Sequence, residues 1–387
     1  MLVRALHAVM VCGLGVLLAV LCDAGSVRSD TKGKPKEPEL PKELTPKLFT
    51  LQDKDISVSK ALAELTKQTG NPVEDRRSSK DDNTKIKLDL KKVTFWQGLD
   101  AIAKAADATV SVAERDEKLA LVDGPNKLES ISYSGLFRVA VNRVDLVKVF
   151  NSDTHLCVLY LDVAWEPRFR PLFMETRPDS MVLQDDKGRA IEVPEDDKGG
   201  LGAIGKRTHA ELQVRVPAPH RSATQLGLFK GKLAAMGPTQ TLTFTFDKLK
   251  KIEKAAQARK ETQHGVNVIL RELRPEGQGD DQVWTVGLLL EYPADGPKFE
   301  SFQSWLVNNE IYLEKEKDGI KQQFPPNLGY ETDDQSEDKA IIKYRFGDEP
   351  DKKLILGNMS DWKLVYRTPG RISAIPIPFE FKDIPLP

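Results

Sequence analysis

The glycines of Gly200-Leu201-Gly202-Ala203-Ile204-Gly205-Lys206 have the spacing that comes nearest to a chemical motif in this chain. They fit G-x-G-x-x-G and nearly fit a phosphate-cradling loop, which needs Ser or Thr where Arg207 stands. Such a loop works between a strand and a helix N-terminus, where backbone N–H groups converge on the anion. Here the acidic run Glu195-Asp196-Asp197 comes before the glycines, and the stretch Glu211 to Val216 predicts a strand after them. This context predicts a loop between strands rather than a nucleotide site.

The other reactive residue types are dispersed. Beyond residue 24 the histidines are His155, His209, His220 and His264, with no H-x-H or H-E-x-x-H pair and no cysteine at zinc-ligand spacing. There is no G-x-S-x-G elbow and no C-x-x-C pair. The acidic turns at Asp185-Asp186 and Asp333-Asp334 lack the ordered calcium-loop pattern. A carboxylate pair for glycoside hydrolysis acts across a spatial separation that spacing does not reveal. Trp165, Trp284, Trp305 and Trp362 lie in or beside predicted strands. Exposed in a row they would stack on sugar rings, whereas core packing is the commoner fate of tryptophan. The expectation is a chain with no catalytic residue, no cofactor and no metal.

A chain of 387 residues is long enough for two or three domains. Its 57 Lys plus Arg nearly balance 58 Asp plus Glu, which argues against nucleic acid as a partner. Arg4, the apolar run Ala8 to Leu21 and Cys22-Asp23-Ala24 read as a signal peptide over residues 1–24, cut after Ala24. Retention as an anchor stands second, because the apolar run is short for a span of about 20 residues. Lipidation at Cys22 stands third, because Leu21 occupies a position that wants a small residue. The mature chain then has no membrane span. It keeps one cysteine, Cys157, whose apolar surroundings Leu156 to Tyr160 predict a buried, inert thiol.

Residues 25–47 mix Pro, Lys, Glu and Thr and predict a flexible tether. Residues 48–124 repeat a strand–helix–strand pattern. Phe49-Thr50-Leu51 leads into an amphipathic helix with Ala61, Leu62 and Leu65 on one face, ended by Gly70. The second copy runs from Ile86-Lys87-Leu88 through a helix capped by Thr94 to Val110-Ser111-Val112, with Leu119 to Val122 as a closing strand. From about 130 onward the chain reads as β. Gly135-Leu136-Phe137 matches Gly265-Val266-Asn267, Pro167-Arg168-Phe169 matches Pro297-Lys298-Phe299, and Ala210 to Val216 matches Ala340 to Phe346, each at an offset of 130. This predicts β-sandwich-like repeats over 130–247 and 264–387. Between them the Lys-, Ala- and Glu-rich stretch 248–263 predicts a helical spacer.

The segment 48–124 resembles the short N-terminal domain of secretins and TonB-dependent receptors. The resemblance rests on Phe49-Thr50-Leu51, on Ala61-Leu62-x-x-Leu65 ending at Gly70, on Ile86-x-Leu88, and on Val93-Thr94-Phe95-Trp96-Gln97-Gly98-Leu99-Asp100. It implies a periplasmic domain that makes protein–protein contacts. No run of ten-residue alternating strands follows that would build an outer-membrane barrel, so only docking is implied. The remainder is similar to tandem β-sandwich domains of secreted bacterial proteins.

These readings predict an α+β small domain followed by two all-β sandwich-like domains related as a tandem repeat. The function they predict is that of an exported, non-catalytic interaction or scaffold protein of the bacterial cell envelope, periplasmic or extracellular. It would dock to another envelope protein through residues 48–124, with Trp96 and the sheet edges as contact points. Two other readings stay open: a glycan-binding module using the sandwiches, with polysaccharide as the partner, and a hydrolase with dispersed carboxylates.

Overall fold

The computed structural model describes residues 44–78, 84–112, 118–125, 130–152, 154–194, 199–204, 207–277, 282–294, 306, 309–317, 319–336, 338–352 and 355–387. The signal segment, residues 25–43 of the tether, Glu195-Asp196-Asp197, Gly205-Lys206, Pro297-Lys298-Phe299 and Trp305 lie outside the described residues. The end of the predicted tether is not free. Leu44 packs into a core, and Arg168 Nη2 donates to the Thr45 carbonyl at 2.8 Å.

The small N-terminal part contains β1 (Phe49–Ser57), α1 (Val58–Thr69), β2 (Glu74–Asp75), β3 (Lys85–Val93), α2 (Phe95–Ala105), β4 (Ala108–Val112) and β5 (Leu119–Asp123). Local chemistry sets the helix ends. Thr94 accepts the Gln97 N–H while the Gln97 side chain reaches back to the Thr94 N–H, a reciprocal N-terminal cap. Gly70, at φ 78°, ends α1 in the left-handed region that favours glycine and donates to the Thr66 carbonyl. β1 and β3 pair antiparallel as a two-stranded ribbon, and β5 pairs with β2 in parallel and with β4 antiparallel. Phe49, Leu62, Leu65, Phe95, Leu99, Ile102 and Leu121 form the core between them.

The rest is β-sandwich-like. β6 (Ile131–Ser134), β7 (Phe137–Lys148) and β8 (His155–Trp165) are followed by β9 (Phe173–Glu175), β10 (Asp179–Asp185) and β11 (Leu201–Ala203). Then come β12 (His209–Pro217) and a 22-residue strand, β13 (Gln225–Phe246). The second half comprises β14 (Arg259–Gln263), β15 (Val266–Glu276), β16 (Val283–Glu291), β17 (Glu310–Lys317), β18 (Ile320–Phe324), β19 (Tyr330–Gln335), β20 (Lys339–Gly347) and β21 (Lys363–Pro385). One face sheet has the order β12-β8-β7-β6, and the other β14-β15-β16-β20-β19. Both pack on a single sheet that contains β11-β9-β13-β21-β17-β18, with β10 beside β13.

The long strands explain how one sheet serves two cores. β13 and β21 pair antiparallel from Gln225↔Pro385 to Phe246↔Leu364. On β13, Phe229, Leu233 and Ala235 face the first core, whereas Leu242, Phe244 and Phe246 face the second. The inward residues change from odd to even numbers, and the ladder slips on both sides of Gln240. An extra residue at such a bulge turns the strand without burying its polar face. β21 makes the reverse change: Leu364 and Tyr366 enter the second core, and Ile375, Ile377, Phe379 and Phe381 the first. Gly237 lies near this crossing under the Phe169 ring, which a Cβ would meet at 2.6 Å. Each long strand therefore leaves one core and completes the other.

The predicted helical spacer at 248–263 is corrected by the structure. That stretch runs extended, with a single 3-10 turn at Ala255–Gln257 and then β14. Leu249 and Ile252 are buried, and Ile252 exchanges both backbone hydrogen bonds with Leu273, at 2.9 and 3.1 Å. Anchoring those two apolar side chains outweighs the helix preference of the Lys and Ala around them, a few tenths of a kcal/mol per residue at about this scale.

Candidate functional site

The small N-terminal part sits on the outer face of the β12-β8-β7-β6 sheet, and polar side chains concentrate at that seam. β8 alternates: Cys157, Leu159, Leu161, Val163 and Trp165 face the first sandwich core, while Ala164 packs into the core of the small part. Asp162 and Ala164 share the outer face with their cross-strand neighbours Ala140 and Arg138.

Three contacts close the seam. Trp96, on α2, is 1% exposed and its Nε1 donates to the Leu136 carbonyl at 3.0 Å. Asp100 Oδ2 accepts from Arg138 Nε and from the Tyr133 hydroxyl, both at 2.7 Å. Glu166 Oε2 accepts from Asn71 Nδ2 at 2.9 Å and from Arg168 Nε at 2.5 Å, and Arg168 N–H donates to Asn71 Oδ1 at 3.1 Å. Burial pushes the Tyr133 phenol up, and the Asp100 carboxylate adds to the shift. Burial also raises the Glu166 carboxyl, against the opposing pull of Asn71 and Arg168.

Trp96 is therefore corrected as a partner contact. It faces inward, against the sandwich of its own chain, because α2 is covered on two sides. Phe95, Gly98, Leu99, Ile102 and Ala103 are buried, and so are Trp96 and Asp100. A helix apolar around most of its circumference is enclosed.

Asp162 is 8% exposed, and its Oδ1 has no hydrogen-bond partner. Burial pushes its carboxyl above the ordinary 3.8, with His209 and Arg138 pulling the other way. A carboxyl whose folded value is raised keeps its proton where the unfolded chain has lost it. Its contribution is thus present below 3.8 and is lost as pH rises through the raised value. Asp162→Asn is expected to match the wild type near pH 3 and to exceed it in stability at pH 7. Urea denaturation at both pH values measures this, and equal pH dependence in the two proteins would refute it.

The remaining sequence candidates are structural. Gly202 lies on β11, paired with Met174 at the margin of the shared sheet; the Gly200 carbonyl accepts the Thr176 N–H, and the Gly200 N–H donates to Thr176 Oγ1. Among the described residues no helix follows the glycines, and Leu201–Ala203 of the phosphate-loop pattern form a strand. Trp165, Trp284 and Trp362 are at most 1% exposed, so they form no platform for sugar rings. Asp185 closes its turn by accepting the N–H groups of Lys187 and Arg189. Burial alone would raise its carboxyl, but those N–H groups and the Arg189 guanidinium hold it below the ordinary value. His220 caps a turn with Ser222, and His264 occupies a turn at φ 47°. Among the described residues no group of three His, Cys, Asp or Glu is placed to hold a metal ion.

Cys157 is fully buried, and burial pushes its thiol up to about 11. The expected result is no reaction with a maleimide at neutral pH until denaturant is added, read by intact-mass spectrometry. Labelling of the native chain would contradict its burial.

Two concavities of about 410 and 320 Å³ open at the surface. Lys248, Lys250, Lys251 and Arg259 line the first, and Asp185, Arg189 and His220 the second. The raised carboxyls of Asp162 and Glu166 lie in the seam and in neither cavity.

Sequence reasoning missed the most exposed aromatic residue among those described. Phe150, at the tip of the β7–β8 hairpin, is 91% exposed, beside the exposed Leu146 and Val147. The signal was a break in alternation at Leu146-Val147, where apolar residues point to both sides of a strand. Among the described residues no helix is long and apolar enough to cross a membrane. No protein family, curated protein or solved structure matches this chain.

Proposed function

We propose that this is an exported, non-catalytic interaction protein of the bacterial cell envelope that docks to another envelope protein through residues 48–124. The observation that carries this reading is the β1–β3 ribbon. It pairs with no other described strand; the Gln68 side chain takes the Thr50 N–H and carbonyl on the β1 edge, at 3.0 and 3.1 Å, and the β3 edge carries no described strand. Lys87, Asp89 and Lys91 are exposed along it. An extended partner segment can add to such an edge, gaining main-chain hydrogen bonds without any reactive side chain. The seam at Trp96, Asp100 and Glu166 holds the ribbon on a rigid body, which lowers the ordering cost of binding. The resemblance to secretin and TonB-type N-terminal domains and the signal-peptide pattern at 1–24 support the envelope setting.

We read the two sandwiches as copies of one unit. The orders β6-β7-β8-β12 and β14-β15-β16-β20 support this, as does the placing of β10 beside β13 and β17 beside β21. Their role is to form one stiff support for the docking part.

Affinity capture from detergent-solubilised envelope tests the reading. The intact chain should retain a defined protein, and Lys87→Glu with Lys91→Glu should release it while leaving the fold unchanged. Equal capture by both forms would remove the ribbon from the account. Export is checked separately by mass spectrometry, where a mature N-terminus at Gly25 is expected.

A further inference from the structure

β12 forms one margin of its face sheet. It pairs with β8 along its full length and with no other described strand. In an antiparallel ladder, backbone groups alternate between the partner strand and the free side. The Thr208 carbonyl faces inward and accepts the Trp165 N–H, whereas the Arg215 carbonyl faces outward and accepts Arg177 Nη1 at 3.4 Å. Glu211, Gln213 and Arg215 therefore turn their N–H and C=O groups away from β8. All three side chains are exposed. Glu211 lies within electrostatic reach of the Arg143 guanidinium, and no ion pair within 4 Å joins Glu211 or Arg215 to another described residue.

β20 occupies the same position in the other face sheet, and its margin is covered. β19 lies antiparallel along it, from Tyr330↔Tyr344 to Gln335↔Ala340, with Asp333 and Lys343 2.7 Å apart. The outward groups of Arg345 are taken by the backbone of Leu328 and Gly329, at 3.2 and 3.1 Å. One sheet thus shows what covers such a margin: an antiparallel strand with complementary charge. The other sheet carries the same margin with no described strand on it.

The sequence of β12 is complementary to itself. Turned about a two-fold axis through Gln213, Glu211 of one copy faces Arg215 of the second, and Arg215 faces Glu211. The outward backbone groups at 211, 213 and 215 then meet their counterparts in hydrogen-bonding phase, with the Arg215 carbonyl exchanging the long 3.4 Å bond from Arg177 Nη1 for one from the Glu211 N–H of the second copy. On the core side Leu212 meets Val214, and both are already buried. Pro217, which has no N–H, ends the ladder. Protective charges on an edge strand repel a second strand when they have one sign; here the two signs stand symmetrically about a neutral centre and attract. We infer that the occupant of the β12 edge is a second copy of this chain, which joins two four-stranded sheets into one of eight across a two-fold axis.

Sedimentation velocity of the full chain over a concentration series tests the inference, with Glu211→Arg, Arg215→Glu and the double exchange. Each single variant places like charges opposite each other twice, and is expected to weaken dimerisation about ten-fold or more. The double exchange should restore it. An equimolar mixture of the two single variants should form a heterodimer although each alone stays monomeric. That outcome also shows that both single variants are folded. In the wild type, amide exchange across 209–217 should slow as concentration rises, a readout that needs no variant. A wild-type monomer at every concentration, or a dimer indifferent to both single variants, would overturn the inference.

Discussion

Phe244→Ala is expected to destabilise the protein by about 3–5 kcal/mol and to loosen both sandwiches, although Phe244 touches only one core. Phe244 is fully buried in the second core, on the half of β13 that lies beyond the crossing. Its removal leaves a cavity that neighbours on two packed sheets can fill only in part. The same strand supplies Phe229, Leu233 and Ala235 to the first core, and β21 joins the cores in the opposite direction. Neither core can open without releasing a strand that the other needs. Native-state hydrogen exchange should show β8, in the first core, losing protection together with β16, in the second. A loss confined to β14, β15, β16 and β20 would mean that the crossing acts as a hinge.

Trp96→Ala is expected to cost about 3–5 kcal/mol and to release the small part from the sandwich. The indole is 1% exposed, makes an edge-on contact with Phe95 at 5.1 Å and donates to the Leu136 carbonyl. Its loss also admits water beside Asp100 and Arg138, whose ion pair is buried on both sides. Trp96→Phe should cost far less, about 1 kcal/mol, because the Leu136 carbonyl still accepts the Glu166 N–H at 3.0 Å. Denaturation curves measure both variants, and limited proteolysis reads release of the small part. Equal costs for the alanine and phenylalanine variants would assign the effect to the hydrogen bond instead of to packing.

The parts of this fold legible in the sequence are those set by neighbours along the chain. Thr94 and Gly70 end their helices through bonds within a few residues, so the spacing of Thr94 with Gln97 and the glycine after Thr69 was enough. Alternation at Leu212, Val214 and Val216 marked β12 for the same reason. What was hidden depends on distant partners. Residues 225–246 have the composition of one long strand, but the slip at Gln240 that shifts the inward residues from odd to even numbers and carries β13 into a second core shows only once β21 lies beside it. Residues 248–263 have helix-forming composition, and only Leu273 explains why Ile252 is extended. The candidate site divides in the same way. The apolar pattern around Trp96 is local, but the sheet that buries it begins beyond residue 130.

Site-specific photo-crosslinking in living cells tests the docking account most directly. The photoreactive residue is placed at Gln52 or Lys91 on the ribbon, and as a control at Phe150 on the opposite type of surface, the apolar hairpin tip. The account expects both ribbon positions to yield an adduct with the same envelope protein, and the Phe150 position to yield none with it. Adducts from Phe150 alone, or ribbon positions that remain unlinked in a chain recovered from the cytoplasm, would contradict it.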